Sequence, residues 1–379
     1  MNILEYIEQY GHEDFTVRPF NNVDSAIMTL ISYINFDMFE RKDDSNYIYF
    51  KDIAPGMFKE LAKDEFISKE NVKLLGLLKA SPRYRNLGVS YIRRNTCVKK
   101  EEQFFACTII FPDGTFYIVF RGTDFTMVGW KEDCNMAYSE IVPSQKSALE
   151  YVKEVTSKLK GNFYIGGHSK GGNLAFYSHL FQERKTLERC IAAYSFDGPG
   201  FFELKDKFTD TFDEAHKKMI KIVPQNTLVG IMFSSLKDAL IVHSTYFGIF
   251  QHNPYSWQID PETLDFFYLE ERTKESYINE LTFQMWINSL SNEDKIFATE
   301  GIFTLMGGTN LTLSEFISAP ATRIKNISEV YKNASPEQRN KFISIFKQLF
   351  YYHRRAKKMF ADKDKQTVQP QLAIELKGE

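Results

Sequence analysis

Helical spacing of apolar residues dominates the first 95 positions of the chain. Apolar side chains recur every three or four residues in the runs at 26–34 and 74–78, which is typical of helices that bury one face. Residues 1–95 are therefore predicted to form a mostly helical segment that packs on the rest of the chain.

Short apolar runs typical of strands come next. Residues 104–111 and 115–120 flank Pro112-Asp113-Gly114, and this turn sequence between apolar runs predicts a hairpin. Strands alternating with helices predict a mostly parallel central sheet with flanking helices, so residues 96–268 are expected to form an α/β core. The remaining predicted elements are strands at 162–166, 191–196, 219–223 and 240–243, and a helix at 144–160.

The pattern changes again near residue 270. Amphipathic helical runs at 277–290 and 338–352 continue without any strand pattern, which predicts a C-terminal helical annex over residues 269–360. Residues 361–379 are polar and are predicted to form a flexible tail.

Composition narrows the class of protein. The chain has 379 residues, of which 43% are hydrophobic, so it is long enough to bury a large core. Its formal net charge of −2 gives no basic footprint for nucleic acid. No apolar run approaches the roughly 18 residues of a membrane-spanning helix, so only peripheral membrane contact stays open. The oligomeric state does not follow from the sequence.

The cysteines and the N-terminus indicate a cytoplasmic location. The four cysteines are widely spaced, with no C-x-x-C pattern, and residues 1–6 lack the basic and apolar regions of a signal peptide. The sequence also lacks H-E-x-x-H, a P-loop and a dinucleotide-binding fingerprint, so no metal or cofactor is expected.

The motif that carries chemistry is Gly167-His168-Ser169-Lys170-Gly171. It lies between a strand-like run and a helix-like run, which is the setting of a G-x-S-x-G nucleophile elbow. Small flanking residues let the turn hold its serine in a strained conformation, and the helix N-terminus directs free N–H groups toward a developing oxyanion. Ser169 is therefore predicted to be the nucleophile of a hydrolase.

A serine nucleophile needs a histidine base, which follows the serine and the acid along the chain in α/β-hydrolases. His252 is favoured because Asn253-Pro254 marks a loop after the last predicted strands, where catalytic groups are commonly carried. His243 ends an apolar run and stays an alternative. The histidines judged less suitable are His12, His168, His179, His216 and His353, and the His168 side chain is expected to point away from the serine.

Two aspartates are candidates for the acid that orients the histidine. Asp197 ends the strand that follows the elbow helix and precedes a Gly-Pro turn, which places it to face the histidine loop. Asp238 is the alternative.

The oxyanion donors are expected on the residue after the serine and on a loop after an earlier strand. These are the backbone N–H groups of Lys170 and Thr123; Thr123 follows a strand and Gly122, which permits close approach of the backbone. Arg121 is expected to form a structural ion pair, with Asp133 as a plausible partner.

The segment Phe120-Arg121-Gly122-Thr123, followed by the elbow, resembles the fungal-type (class 3) lipases. Residues 1–270 resemble more closely a lipase-like bacterial branch of that group, with similar motifs at 196–201, 223–225 and 251–257. The resemblance implies an α/β-hydrolase fold and hydrolysis of an acyl ester or lipid. It assigns the nucleophile to Ser169, the oxyanion donors to Thr123 and Lys170, and the base to His252.

The chain departs from the fungal-type lipases at the acid. Those enzymes carry the aspartate after the next strand, where this chain has Thr227. Either Asp197, one strand earlier, is the acid, or the triad is incomplete. The sequence thus predicts an esterase or lipase-like serine hydrolase acting through an acyl-enzyme. The alternative is a weak or inactive hydrolase-fold protein with a binding or regulatory role.

Overall fold

One mixed sheet of nine strands organises the computed structural model, with its strands side by side in chain order. The structure describes residues 1–39, 43–63, 67–124, 126–201, 211–234, 236–306, 308, 328–329 and 332–375. The strands are β1 (Ile48–Tyr49), β2 (Gly88–Cys97), β3 (Glu102–Ile110), β4 (Phe116–Phe120), β5 (Phe163–His168), β6 (Cys190–Phe196), β7 (Met219–Pro224), β8 (Leu240–Val242) and β9 (Tyr268–Leu269).

Twelve α-helices lie within the described residues, so the chain is an α/β protein. They are α1 (Ile3–Tyr10), α2 (Asn22–Ile31), α3 (Phe58–Leu61), α4 (Ser68–Ala80), α5 (Met127–Asn135), α6 (Pro143–Lys158), α7 (Lys170–Leu180), α8 (Arg184–Arg189), α9 (Phe212–His216), α10 (Lys274–Ser289), α11 (Asn292–Leu305) and α12 (Pro336–Glu375).

The sheet is parallel at its centre and antiparallel at both edges. Strands β4 to β8 pair in parallel, whereas β1 to β4 pair antiparallel, as do β8 and β9. Parallel neighbours require crossover connections, which α6, α7 and α9 help to supply. In the sheet register Phe120 is opposite Gly167, and His168 is opposite Phe196. The loops that leave β4, β5 and β6 therefore lie next to one another, at the carboxyl ends of these parallel strands.

Helices cover both faces of the central strands. In β4, Phe116, Ile118 and Phe120 pack into the core beneath α6 and α7. Tyr117 and Val119 point to the other face, into the core that contains residues of α1, α2 and α4. A strand buried on both faces reads as an unbroken apolar run, which is why this stretch was recognisable as a strand.

The first 95 residues contain more strand than the sequence predicts. The helices α1, α2 and α4 are present, but β2 begins at Gly88 and β1 pairs with it. The pairing of β2 with β3 shifts register between Ser90 and Arg93. This irregularity disrupts the alternation by which a strand is recognised in a sequence.

A buried ion pair fixes this N-terminal part. Arg83 donates from Nε and Nη2 to the two carboxylate oxygens of Asp24, at 2.8 and 2.5 Å, and both side chains are fully buried. Tyr84 Oη donates to the same carboxylate at 2.6 Å. Because buried charges are costly unless paired, these groups hold α2 and the segment after α4 in one arrangement.

The helices after residue 270 differ from the prediction at the chain end. The predicted helices correspond to α10 and α12, but α12 continues through Glu375, so the tail expected to be loose from residue 361 is helical to that point. Polarity alone indicated a loose tail, yet Lys, Gln, Ala and Glu are all good helix formers.

Candidate active site

Ser169 occupies a strained turn between β5 and α7. Its backbone dihedrals are φ 58° and ψ −132°, a conformation that non-glycine residues rarely adopt. The turn is possible because its neighbours lack side chains. A Cβ on Gly167 would lie 2.2 Å from the carbonyl carbon of Gly171, and one on Gly171 would lie 2.2 Å from the carbonyl oxygen of Phe120. The geometry is that of a serine presented at the end of a strand.

The serine is partly exposed and stands at the positive end of α7. Its N–H donates to the carbonyl of Phe196 at 2.9 Å, which anchors the turn to the end of β6. Lys170 is the first residue of α7, and the first N–H groups of a helix have no partner within it. Negative charge that develops beside Ser169 would therefore face free donors and the helix dipole.

The residue after Phe196 is Asp197, and it is bonded to His252. His252 Nδ1 lies 2.6 Å from Asp197 Oδ2, although the residues are 55 positions apart. The carboxylate is fully buried, whereas the imidazole is about one quarter exposed. A carboxylate can only accept, so Nδ1 donates to Asp197 and Nε2 is the ring nitrogen left for another partner.

The second oxygen of Asp197 receives two further donors. Thr227 Oγ1 donates to Oδ1 at 2.5 Å, and the Gly230 N–H donates to it at 3.1 Å. Burial alone would raise the pKa of the Asp197 carboxyl, but the hydrogen bonds from His252 and Thr227 outweigh burial and hold that pKa below its usual value. Thr227 therefore supports the carboxylate that follows β6.

His168 connects the serine turn to the histidine loop. Its Nε2 lies 2.7 Å from the carbonyl oxygen of His252, and the two imidazole centroids are 4.4 Å apart. The carbonyl accepts, so Nε2 bears the proton and Nδ1 accepts from Tyr33 Oη at 2.8 Å. Burial lowers the pKa of His168 to about 3, which keeps the ring neutral. No motif or pattern in the sequence indicates this contact or the part played by Tyr33.

The loop after β4 comes against the serine turn. A Cβ on Gly122 would lie 3.0 Å from Ser169 Cβ and 2.8 Å from the His168 carbonyl oxygen, so only glycine allows this approach. The next residue, Thr123, donates from Oγ1 to Asp133 Oδ2 at 2.5 Å. Burial raises the pKa of Asp133 to about 6. The loop that carries Gly122 and Thr123 therefore packs against the serine turn.

The side chain of Lys170 is buried, and its ammonium group has three hydrogen-bond acceptors. Its Nζ donates to the carbonyl oxygen and Oε1 of Gln103, at 2.8 and 2.7 Å, and pairs with Glu132 at 3.0 Å. Glu132 also accepts the N–H groups of Gln103 and Ser144. These bonds tie the start of α7 to β3, to α5 and to the start of α6.

The alternative residues lie elsewhere. Asp238 is exposed, and His243 packs against Phe267 in an edge-to-face arrangement. Arg121 forms an ion pair with Asp124, whose carboxylate oxygen lies 3.7 Å from Nη2, and its guanidinium lies over the Phe105 ring. Asp133 accepts from the Thr123 hydroxyl. Several donors lie close to each of these carboxylates, and the sequence alone does not show which donor pairs with which carboxylate.

Two contacts are missing from this arrangement. Within the described part of the chain, no group hydrogen-bonds to Ser169 Oγ or to His252 Nε2. Catalytic hydrogen bonds are often long in unliganded enzymes and shorten when substrate binds.

The described residues include no group of three or more His, Cys, Asp or Glu side chains placed to hold a metal ion. None of the helices in this part of the chain is long and apolar enough to cross a membrane.

Comparison with known proteins identifies the family. Residues 78–304, more than half of the chain, match the family model described as Mbeg1-like. The chain therefore belongs to the Mbeg1-like family, which is a lipase-like family. The match includes all the site residues described above except Tyr33. No curated protein and no solved structure matches the chain.

Proposed function

We propose that this chain is a serine hydrolase that cleaves an acyl ester through an acyl-enzyme. The observation that carries the proposal is the 2.6 Å contact between His252 and Asp197, at the sheet edge where Ser169 is held in its strained turn. A hydrogen-bonded acid and base near a partly exposed serine is the arrangement that nucleophilic catalysis requires. The lipase-like family supports an ester or lipid as the substrate.

The proposed reaction has two halves. His252 Nε2 takes the proton of Ser169 Oγ as that oxygen attacks the acyl carbon, and it then gives the proton to the departing alkoxide. Water next attacks the acyl-enzyme, with the same nitrogen taking its proton. The bond from the acyl carbon to Ser169 Oγ then breaks, His252 returns the proton to that oxygen, and the carboxylic acid leaves. Asp197 holds the imidazole in the required tautomer and stabilises the imidazolium. The backbone N–H groups of Thr123 and Lys170 stabilise the oxyanion in both halves.

The wider assignment follows from the same site. We assign the fold to the α/β-hydrolase class and propose the fungal-type lipases as its relatives, with Asp197 replacing their acid. Support comes from the parallel strands β4 to β8, the serine turn between β5 and α7, and the bond from Thr227 to Asp197. All four cysteines are free thiols, which fits the proposed cytoplasmic location.

A fluorophosphonate probe tests the proposal, because it reacts with activated serines. We expect the wild type to be labelled and Ser169→Ala to lose labelling. Ser195→Ala is a matched control, since Ser195 lies near the same turn but is buried. Asp197→Asn should lower ester turnover on the order of 10⁴-fold, as the same change at the orienting acid does in serine proteases.

The outcomes separate the two functions. Equal labelling of wild type and Ser169→Ala would exclude Ser169 as the nucleophile. A wild type that is folded but not labelled, and that turns over no ester, would favour a binding or regulatory protein on a hydrolase fold. The absence of a hydrogen bond to Ser169 Oγ in the unliganded chain is the observation that motivates this second function.

A further inference from the structure

The last helix, α12, has two unlike faces. Its inner face packs on α10 and α11: Trp286 Nε1 donates to the Ile345 carbonyl at 2.9 Å, and Phe360 stacks on Tyr277. Ile345 and Ala356 are buried along this face. The inner contacts therefore fix which side chains of α12 point away from the rest of the chain.

The charge of α12 is strongly biased. Residues 336–375 contain nine Lys and Arg residues and four Asp and Glu residues, a net charge of +5, and none of the four acids lies between residues 338 and 361. The whole chain carries −2, so the remaining residues together carry −7. Positive charge is thus concentrated on one helix of a protein that is otherwise acidic.

The outer face combines these cations with large apolar side chains. We call Lys347, Phe350, Tyr351, Arg354 and Lys358 the basic-aromatic stripe. Their spacing of three and four residues places them on one side of the helix, over a length of roughly 17 Å. Phe350 is 69% exposed and Tyr351 is 60% exposed. Among the described residues, no carboxylate lies within ion-pair distance of the three cations.

We propose that the basic-aromatic stripe binds the surface of an anionic lipid bilayer. Lys and Arg near such a surface are attracted to its phosphate headgroups, while aromatic rings settle at the boundary between headgroups and acyl chains. Exposing a phenylalanine to water is unfavourable. At this boundary the ring leaves water and the cations contact lipid phosphates, so both kinds of side chain are stabilised. The charge complementarity selects an anionic bilayer over a neutral one.

The binding is peripheral and separate from the hydrolase chemistry. The stripe lies on α12, outside the 78–304 family match, and involves none of the site residues. A helix lying in the plane of a bilayer needs only one apolar and basic face, whereas a spanning helix must be apolar all round. The inference therefore holds or fails independently of the proposed ester hydrolysis.

Vesicle sedimentation with the full chain tests the inference. We expect binding to phosphatidylcholine vesicles containing about 30% phosphatidylglycerol, weak binding to pure phosphatidylcholine, and release at about 0.5 M NaCl. Each cation strengthens binding to an anionic surface about fivefold, so K347Q/R354Q/K358Q should weaken partitioning about 100-fold. F350S/Y351S, which retains the cations, should weaken it at least tenfold if the rings enter the boundary.

A matched variant controls for total charge. K99Q/K146Q/K153Q removes three exposed lysines that lie outside α12, and this variant should bind anionic vesicles as the wild type does. Glutamine keeps the helix propensity of lysine, and circular dichroism with a thermal melt verifies that each variant folds. The proposal would be overturned if the stripe variants and the control variant lost vesicle binding to the same extent. The proposal would also be overturned if the wild type did not bind anionic vesicles. That result includes a protein that self-associates through Phe350 and Tyr351, and one that binds only soluble polyanions.

Discussion

Replacing Thr227 with valine removes the hydroxyl that donates to the Asp197 carboxylate and keeps the shape of the side chain. Both residues are at most 1% exposed, so water cannot replace the lost donor. Oδ1 of Asp197 would keep one partner, the Gly230 N–H at 3.1 Å. The Gly230 N–H, which also contacts Thr227 Oγ1 at 2.8 Å, would keep the carboxylate as its acceptor. The variant therefore isolates one bond to a buried charge.

A hydrogen bond to a charged group contributes about 1.5–3 kcal/mol to stability. With unfolding entropy near 2 cal/mol/K per residue, that loss lowers Tm by about 2–4 °C if the chain unfolds as one unit. The pKa of Asp197 is held below its usual value, so its carboxylate stabilises the fold above about pH 4 and less as the pH falls further. Thr227→Val raises that pKa, and the difference from wild type should shrink below about pH 4 as the carboxyl protonates.

Thermal unfolding of the wild type, Thr227→Val and Thr227→Ser across this pH range measures the effect. Serine keeps the hydroxyl, so Thr227→Ser should recover most of the loss, and its fluorophosphonate labelling rate should stay close to that of the wild type. Thr227→Val should also be labelled more slowly, because Asp197 orients His252 less firmly. A Thr227→Val melt that matches Thr227→Ser at every pH, with unchanged labelling, would refute the reasoning.

Three other substitutions probe different contacts. Arg83→Met leaves the buried Asp24 carboxylate without its cation and should cost about 3–5 kcal/mol in the free energy of unfolding, measured in urea; a loss below about 1 kcal/mol would contradict it. Because burial raises the pKa of Asp133 to about 6, this group stabilises the fold at low pH and less as the pH rises through that value. Lowering the pH from about 7 to 4 should thus stabilise the wild type relative to Asp133→Asn by about 2 kcal/mol, and a pH-independent difference would exclude this titration. Tyr33→Phe removes the donor to His168, worth about 0.5–1.5 kcal/mol, and should slow fluorophosphonate labelling by roughly 2- to 10-fold; an unchanged rate constant would show that His168 needs no such support.

Features set by local sequence were the most predictable. The hairpin of β3 and β4, with Gly114 at positive φ, follows from a three-residue turn between apolar runs. The turn at Ser169 follows from its glycines, whose missing side chains are a purely local requirement. The strand β2 was missed because its register shift disrupts the local pattern.

Contacts across the sheet were harder to predict. Asp197 and His252 were proposed from their places at strand ends, since parallel strands bring such ends together. Their catalytic roles stay predictions. The parts played by Thr227 and Tyr33 depend on which donors converge on one carboxylate or one imidazole, and neither residue carries a motif. Such partners are fixed by packing between distant segments, which a single sequence does not display.

Residue 170 has a consequence for anyone who would re-engineer this protein. Its main chain faces the serine, while its side chain is locked to Gln103 and Glu132 in the interior. Replacing Lys170 with an uncharged residue would leave the buried Glu132 carboxylate without its cation and should destabilise the fold. The residue that follows the serine is therefore constrained by the interior of the protein as well as by the turn.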